Sequence, residues 1–318
     1  MRCIRPLKAS FDFEGNLTYS MMQFDKSQVG FEFPCRKCLP CRLNIGKEKA
    51  IRCVHEAKMH EHNIFLTLTY DEDHLISDRL IYSDFQNFMK SLRERVNRGV
   101  EDPDERRKRY IPYMVTGEYG EINKRPHWHA ILFNYRPSDS KFKYSTELGE
   151  RVFDSEFISS LWKRGNIEFG SVTYDSAGYV ARYAAKKLVH GKDEEHDYHP
   201  IHRISQRRAI GRSWIEKYYK HTFENGFVVL PNGQTDKIPR YYIDWCKEHQ
   251  PKVYEYYVSE VQPIINKKSE LTARKEEMEF LSQLKNWKPS KKYPFSRAKV
   301  KERVLQSKFK MLQERLKL

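Results

Sequence analysis

His127 and His129 flank Trp128 in the run Arg125-Pro126-His127-Trp128-His129-Ala130-Ile131-Leu132-Phe133. The run reads as a strand, where residues two apart share a face. Both imidazoles therefore project together, with Ile131 and Phe133 continuing their face. Trp128, Ala130 and Leu132 take the opposite one. Two neutral imidazoles on a rigid element suit a divalent cation. Glu118, in Gly117-Glu118-Tyr119-Gly120 at the end of the preceding strand candidate, brings a carboxylate to them if the two strands pair. Two histidines and one carboxylate leave positions open for water and a phosphate oxygen. Taken alone, the pair is equally compatible with two ordinary histidines.

A second pattern changes that reading. Tyr179 and Tyr183 stand four apart in an Ala-rich run, 176–189, that reads as a helix. That spacing puts both phenols on one face, with Lys187 one turn further on and Lys186 as its substitute. Phenols beside an ammonium suit phosphodiester transesterification: a tyrosine oxygen attacks phosphorus and stays linked to the 5′ end. The lysine favours the phenolate and balances transition-state charge. A buried tyrosine stripe is the plain alternative, but it must explain the lysines and the histidine strand separately.

The elements that would hold these groups alternate along the chain. Residues 64–70, Ile-Phe-Leu-Thr-Leu-Thr-Tyr, read as a strand. A helix follows, with Ser83 as its cap and Phe85, Phe88, Met89, Leu92 and Val96 at helical spacing. The run Gly-Val-Glu-Asp-Pro-Asp-Glu-Arg-Arg-Lys-Arg reads as an exposed connection. Strand candidates at 110–117 and 127–133, a helix at 154–163 and a strand at 167–174 complete the pattern. Short strand connections predict an α+β fold, an antiparallel sheet with helices on one face. We expect an N-terminal cysteine-containing segment at 1–62, a core at 63–190, a further core or DNA-contact region at 191–265 and a basic helical tail at 266–318. From Lys285 to Leu318 twelve Lys/Arg face only Glu302 and Glu314, with Val304, Leu305, Phe309, Leu312 and Leu316 at roughly helical spacing.

The formal net charge over 318 residues is +15, which points to a polyanionic partner, nucleic acid first. No apolar stretch is long enough to span a membrane, and the N-terminus lacks the apolar run of a secretory signal. A cytosolic protein is expected. Cys35, Cys38 and Cys41 follow a C-x-x-C-x-x-C pattern, which fits metal binding better than a disulfide framework. Cys3, Cys53 or His55 is a candidate fourth ligand for a structural Zn²⁺; reduced thiols in a core are the alternative. An iron–sulfur run would need Cys at position 45, which is Ile. The tract 190–202 carries His190, His196, His199 and His202 among acids and reads as a solvated loop. Arg125 and Arg182, with Arg207, Arg208 and Arg212 in the following Arg-rich run, are candidate DNA contacts. No Gly-rich phosphate loop is present, so no ATPase is expected.

Together, His-Trp-His, Tyr-Val-Ala-Arg-Tyr and Ala-Ala-Lys-Lys resemble, in that order, the HUH endonucleases, specifically the two-tyrosine replication initiators of the Microviridae. Ile-Phe-Leu-Thr-Leu-Thr-Tyr resembles their first motif. The segment Pro-Cys-Arg-Lys-Cys-Leu-Pro-Cys-Arg resembles the N-terminal cysteine segment of gokushovirus-type initiators. The resemblance covers residues 35 to about 190, and more loosely to about 245. It implies a ferredoxin/RRM-like palm, with Glu118 as the acidic ligand beside His127 and His129 and with Mg²⁺ or Mn²⁺ as cofactor. It also implies nicking of single-stranded DNA at a replication origin in the host bacterial cytoplasm, a 5′-phosphotyrosine link, and a 3′-OH left for a host DNA polymerase working with a helicase. The second tyrosine would cleave the regenerated origin and allow the displaced circle to be rejoined. A plasmid-type initiator or relaxase, and a non-enzymatic single-strand-binding protein using its aromatics for stacking, are the competing readings.

Overall fold

The computed structural model describes residues 3, 5–23, 30–120, 124–147, 149–172, 201–206, 208–230, 233–289 and 294–315. They form two compact units: Met1–Ile45 together with Val258–Leu318, and Gly46–Tyr257. The first unit carries a small antiparallel sheet, in the order β2-β1-β3, of β1 (Leu7–Phe11), β2 (Leu17–Thr18) and β3 (Phe31–Phe33). Helix α1 (Leu39–Ala57) starts in this unit and ends in the second.

The second unit is built on a seven-stranded sheet of β4 (Asn63–Thr69), β5 (Tyr113–Tyr119), β6 (Pro126–Phe133), β7 (Lys141–Ser145), β8 (Arg151–Asp154), β9 (Ile167–Gly170) and β10 (Ile201–Ile204). Their order is β10-β5-β6-β4-β9-β8-β7, and every pairing is antiparallel. Helices α2 (Tyr82–Val96), α3 (Pro103–Lys108) and α4 (Glu156–Trp162) lie between these strands in sequence. After them come α5 (Arg212–Asn225), α6 (Arg240–His249) and α7 (Pro251–Tyr256). The α+β class with a central antiparallel sheet is the one the resemblance implies. The helices α8 (Gln262–Lys285) and α9 (Arg297–Arg315) close the first unit, so the basic C-terminal run is helical as its spacing predicts.

Alternation along β4 and β6 assigns the two faces. Leu66, Leu68, Trp128, Ala130 and Leu132 are buried with Phe85, Phe88, Met89 and Leu92 of α2 and with Ile158 and Trp162 of α4. Burying each such side chain contributes roughly 1.5–3 kcal/mol. The Trp128 indole occupies the space over its cross-strand partner Gly117: a Cβ there would stand 2.6 Å from Trp128 Cζ3. Trp128 Nε1–H donates to Tyr70 Oη at 3.0 Å, and Tyr70 Oη–H donates to Asp84 Oδ2 at 3.0 Å. Arg164 Nη2 reaches Asp84 Oδ1 at 3.1 Å.

Helices pack on both faces, not on the single face expected. Ile131, Phe133 and Met114 continue the histidine face and are buried against Ala50, Cys53 and Val54 of α1 and against Ile210. Those apolar side chains need cover as much as the opposite face does. Two local differences also appear. Helix α2 starts at Tyr82 after Ile81, with no side-chain cap, and Ser83 lies inside its first turn. Its register follows Asp84, which Tyr70 and Arg164 hold. The exposed connection contains α3, capped by Asp102, which accepts from Asp104 N, with Pro103 at its first position. For α4 the expectation holds: Ser155 Oγ accepts from Ile158 N at 3.1 Å. Among the described residues, no helix is long and apolar enough to cross a membrane.

Candidate metal centre

Strand register builds the centre. Glu118 on β5 pairs directly with His127 on β6, and Thr116 pairs with His129. On the other side of β6, Thr69 pairs with His127 and Thr67 with His129. Directly opposed residues stand about 4.5–5.5 Å apart at Cβ and share a face. Glu118, His127 and His129 therefore converge, and one ligand atom from each lies within 4.8 Å of the others. The two imidazoles are 4.9 Å apart at their centroids and nearly perpendicular, at 81°.

The surroundings orient each ring. His127 Nδ1 lies 3.2 Å from the carbonyl oxygen of Arg125, an acceptor, so Nδ1 carries the proton and Nε2 keeps its lone pair. His129 Nδ1 lies 3.1 Å from Thr67 Oγ1, and Phe65 stacks on the His129 ring at 5.6 Å. Burial, with the neighbouring His127 adding to it, pushes the His129 imidazole down to about 3. A metal ligand must be neutral at physiological pH, and this ring is. Glu118 is buried, 4 % exposed. A buried carboxylate between two neutral imidazoles is a donor set that fits a divalent cation, because an uncompensated charge there is costly.

A family model described as the ORF2-type replication-associated protein matches residues 63–188. The chain is 54% identical to replication-associated protein VP4 of Bdellovibrio phage phiMH2K, over 318 residues that cover all of both chains. The chain belongs to this family of phage replication-associated proteins. Replication-associated protein ORF4 of Chlamydia phage 1 is 32% identical over 249 residues, which are 76% of this chain and 58% of that protein. Replication-associated protein ORF2 of Spiroplasma virus 4 is 29% identical over 289 residues, 80% of this chain and 87% of that one. No solved structure matches the chain. Membership of the phage replication-associated family agrees with the resemblance drawn from the motifs.

The stretch matched by the family model contains Glu118, His127 and His129 and runs past Tyr179, Tyr183, Lys186 and Lys187. Those four residues, with Arg182 and Arg207, lie outside the described residues. Of the other candidate DNA contacts, Arg125 donates from Nε to Tyr70 O at 3.0 Å and from Nη1 to Glu72 at 2.6 Å. Arg208 and Arg212 are exposed; Arg208 Nη1 meets Arg107 O at 2.5 Å and Arg212 Nε meets Glu216 at 2.7 Å.

Thr67 and His202 are neighbours of the centre that the motifs do not include. Alternation in β4 already aims Thr67 at the histidine face. His202, expected in a solvated loop, lies instead on β10, opposite Thr116, whose Oγ1 is 3.0 Å from His202 Nδ1. The short alternating run Ile201-His202-Arg203-Ile204 is the signal for that edge strand.

A second group, Cys3, Cys35, Cys38 and Cys41, also brings its ligand atoms within 4.8 Å of one another. The competing fourth ligands sit elsewhere. Cys53 is buried with its Sγ against Met114 Sδ, and His55 is stacked on Trp214 with Nδ1 3.0 Å from Tyr242 Oη.

Proposed function

We propose that this chain initiates replication of a small phage genome by nicking one DNA strand at the origin. It would become linked to the 5′ end through tyrosine and leave a 3′-OH for synthesis. The observation that carries this reading is the convergence of Glu118, His127 and His129 on one sheet face, in a chain 54% identical along its length to a phage replication-associated protein.

Glu118, His127 and His129 would hold Mg²⁺ or Mn²⁺, with the nitrogen donors favouring Mn²⁺. When bound, such a cation supplies Lewis-acid chemistry that makes phosphorus more electrophilic. The chain's own residues do the rest. Arg125 O and Thr67 Oγ1 hold the rings in orientation, and the sheet keeps the three ligands in register. Tyr179 or Tyr183 gives up its phenolic proton and its oxygen bonds phosphorus. The 3′ oxygen then leaves as a hydroxyl after taking up a proton, so one phosphodiester is exchanged for another and no water is consumed. Lys187 or Lys186 favours the phenolate. The second tyrosine repeats the exchange on the regenerated origin, and the free 3′-OH then attacks the first phosphotyrosine and closes the displaced circle. Arg125, Arg182, Arg207, Arg208 and Arg212 would track the strand. A host DNA polymerase and helicase, in the host bacterial cytoplasm, would extend the 3′ end.

The test is a covalent-adduct assay. Single-stranded oligonucleotides tiling the phage genome are incubated with the protein and Mn²⁺ or Mg²⁺, then run on a denaturing gel. Tyr179→Phe, Tyr183→Phe, the double variant and His127→Ala run alongside. The expected result is a metal-dependent protein–DNA band that is absent in the double variant. Folded, metal-loaded protein that forms no adduct anywhere on the genome would replace this reading with that of a strand-binding protein.

A further inference from the structure

We propose that Cys3, Cys35, Cys38 and Cys41 hold one structural Zn²⁺ that organises the N-terminal part of the first unit, separately from the centre on the sheet. The sulfur geometry is the first argument. Four thiolates at about 2.3 Å from a tetrahedral zinc stand about 3.8 Å from one another. The Cys3 and Cys38 sulfurs are 3.8 Å apart, and all four lie within 4.8 Å of one another. None is in a disulfide.

The backbone is arranged for negatively charged sulfur. Cys38 N–H donates to Cys35 Sγ at 3.3 Å, and Cys35 N–H donates to Cys3 Sγ at 3.3 Å. Arg36 takes a left-handed conformation, φ 57°, which folds the Cys35–Cys38 turn tightly enough to aim the Cys38 amide at sulfur. Cys38 immediately precedes α1 and Cys41 is its third residue, so both sulfurs lie at a helix end that favours negative charge.

The third argument is what this segment lacks. Among the described residues before Gly46, only Ala9, Ser10, Pro40 and Cys41 are buried, while Phe13, Tyr19, Met21 and Met22 are exposed. So small a core does not offset the entropy of ordering about forty residues, and chains in that position are held by metals or disulfides. Soft thiolates select zinc over Mg²⁺ or Mn²⁺, and four protein ligands leave no position for substrate. Binding releases the thiol protons to solvent and changes no oxidation state.

The test is metal analysis of the full chain, purified without chelator from zinc-supplemented cells. The expected result is one zinc per chain by plasma mass spectrometry, retained in Glu118→Ala/His127→Ala/His129→Ala and lost in Cys35→Ser/Cys38→Ser. If the cysteine variant does not fold, the wild-type protein still decides. Titration with a mercurial should release one zinc per four thiols, and replacement by Co²⁺ should give thiolate-to-cobalt charge-transfer bands. Zinc-free protein, iron in place of zinc, or zinc that leaves with the sheet-centre variant would each overturn the proposal. No DNA enters the measurement, so its outcome is independent of the nicking reading.

Discussion

The two faces of the seven-stranded sheet follow one alternation and end in opposite roles. On one face Leu66, Leu68, Trp128 and Leu132 are closed over by α2 and α4, and the polar groups among them are tied into the Trp128–Tyr70–Asp84–Arg164 chain. On the other face α1 covers Ile131 and Phe133, while Glu118, His127 and His129 remain together towards the far end of β6. Residues one position apart in sequence thus do unrelated work: Trp128 supplies stability, and its two neighbours present donors. The lesson is that a strand isolates chemistry from packing only if each face has its own cover, and here the cover on the histidine face stops short of the histidines.

The largest effect should come from the open face. His127→Ala/His129→Ala should lower adduct formation by at least about 10³-fold, because the lost electrophilic assistance amounts to several kcal/mol. Its thermal unfolding midpoint should stay near that of the parent. A variant that loses its fold together with its activity would break the division of labour between the faces.

Next comes the helix that covers part of that face. His55 on α1 is buried against Trp214, and burial pushes its imidazole down to about 4. The unfolded chain takes up this proton near pH 6.5 and the folded chain only near pH 4, so stability is full above about 6.5 and falls as the pH drops toward 4. The loss should reach about 3 kcal/mol across that window. Denaturant unfolding at both ends of the window, for the parent and His55→Gln, measures it. An unchanged slope in the variant would assign the pH dependence elsewhere, with His129 the first suspect, since its imidazole is shifted in the same direction.

The closed face should respond in stability alone. Asp84→Ala strands Arg164 and the Tyr70 hydroxyl and should cost about 2–3 kcal/mol, less than a fully buried pair because Arg164 is partly exposed. Urea titration reads the loss, and adduct formation per folded molecule should be unchanged. A drop in the latter would mean that the two faces communicate through Trp128. The smallest effect is expected from Thr67→Val, which keeps β-branching and removes the contact to His129 Nδ1. Mn²⁺ affinity, measured by calorimetry, should weaken about 10–100-fold. Affinity equal to the parent's would show that the sheet alone orients that ring.

Much of this is legible in the residues. Period-two alternation assigns every side chain of β6 to its face, because a strand has only two faces and apolar residues must choose the buried one. The partnership of Glu118 with the histidines follows once the two strands are taken as paired. The fourth cysteine is not legible: Cys3, Cys53 and His55 are equal candidates by spacing, and they separate only because α1 carries Cys53 and His55 into the packing of the second unit. His202 is obscured by the acidic, histidine-rich tract before it. The start of α2 is set by a buried carboxylate rather than by the nearest serine.

By itself, then, the sequence determined the local periods, the kinds of donor and the order of the motifs, because these depend on side-chain type and on steps of two or about 3.6 residues. Only the tertiary structure decided which donors meet. That required the Glu118–His127 register, the two coverings of the sheet and the return of Cys3 to the turn before α1. Each of these brings together residues distant in the chain, and their meeting is paid for by burial elsewhere.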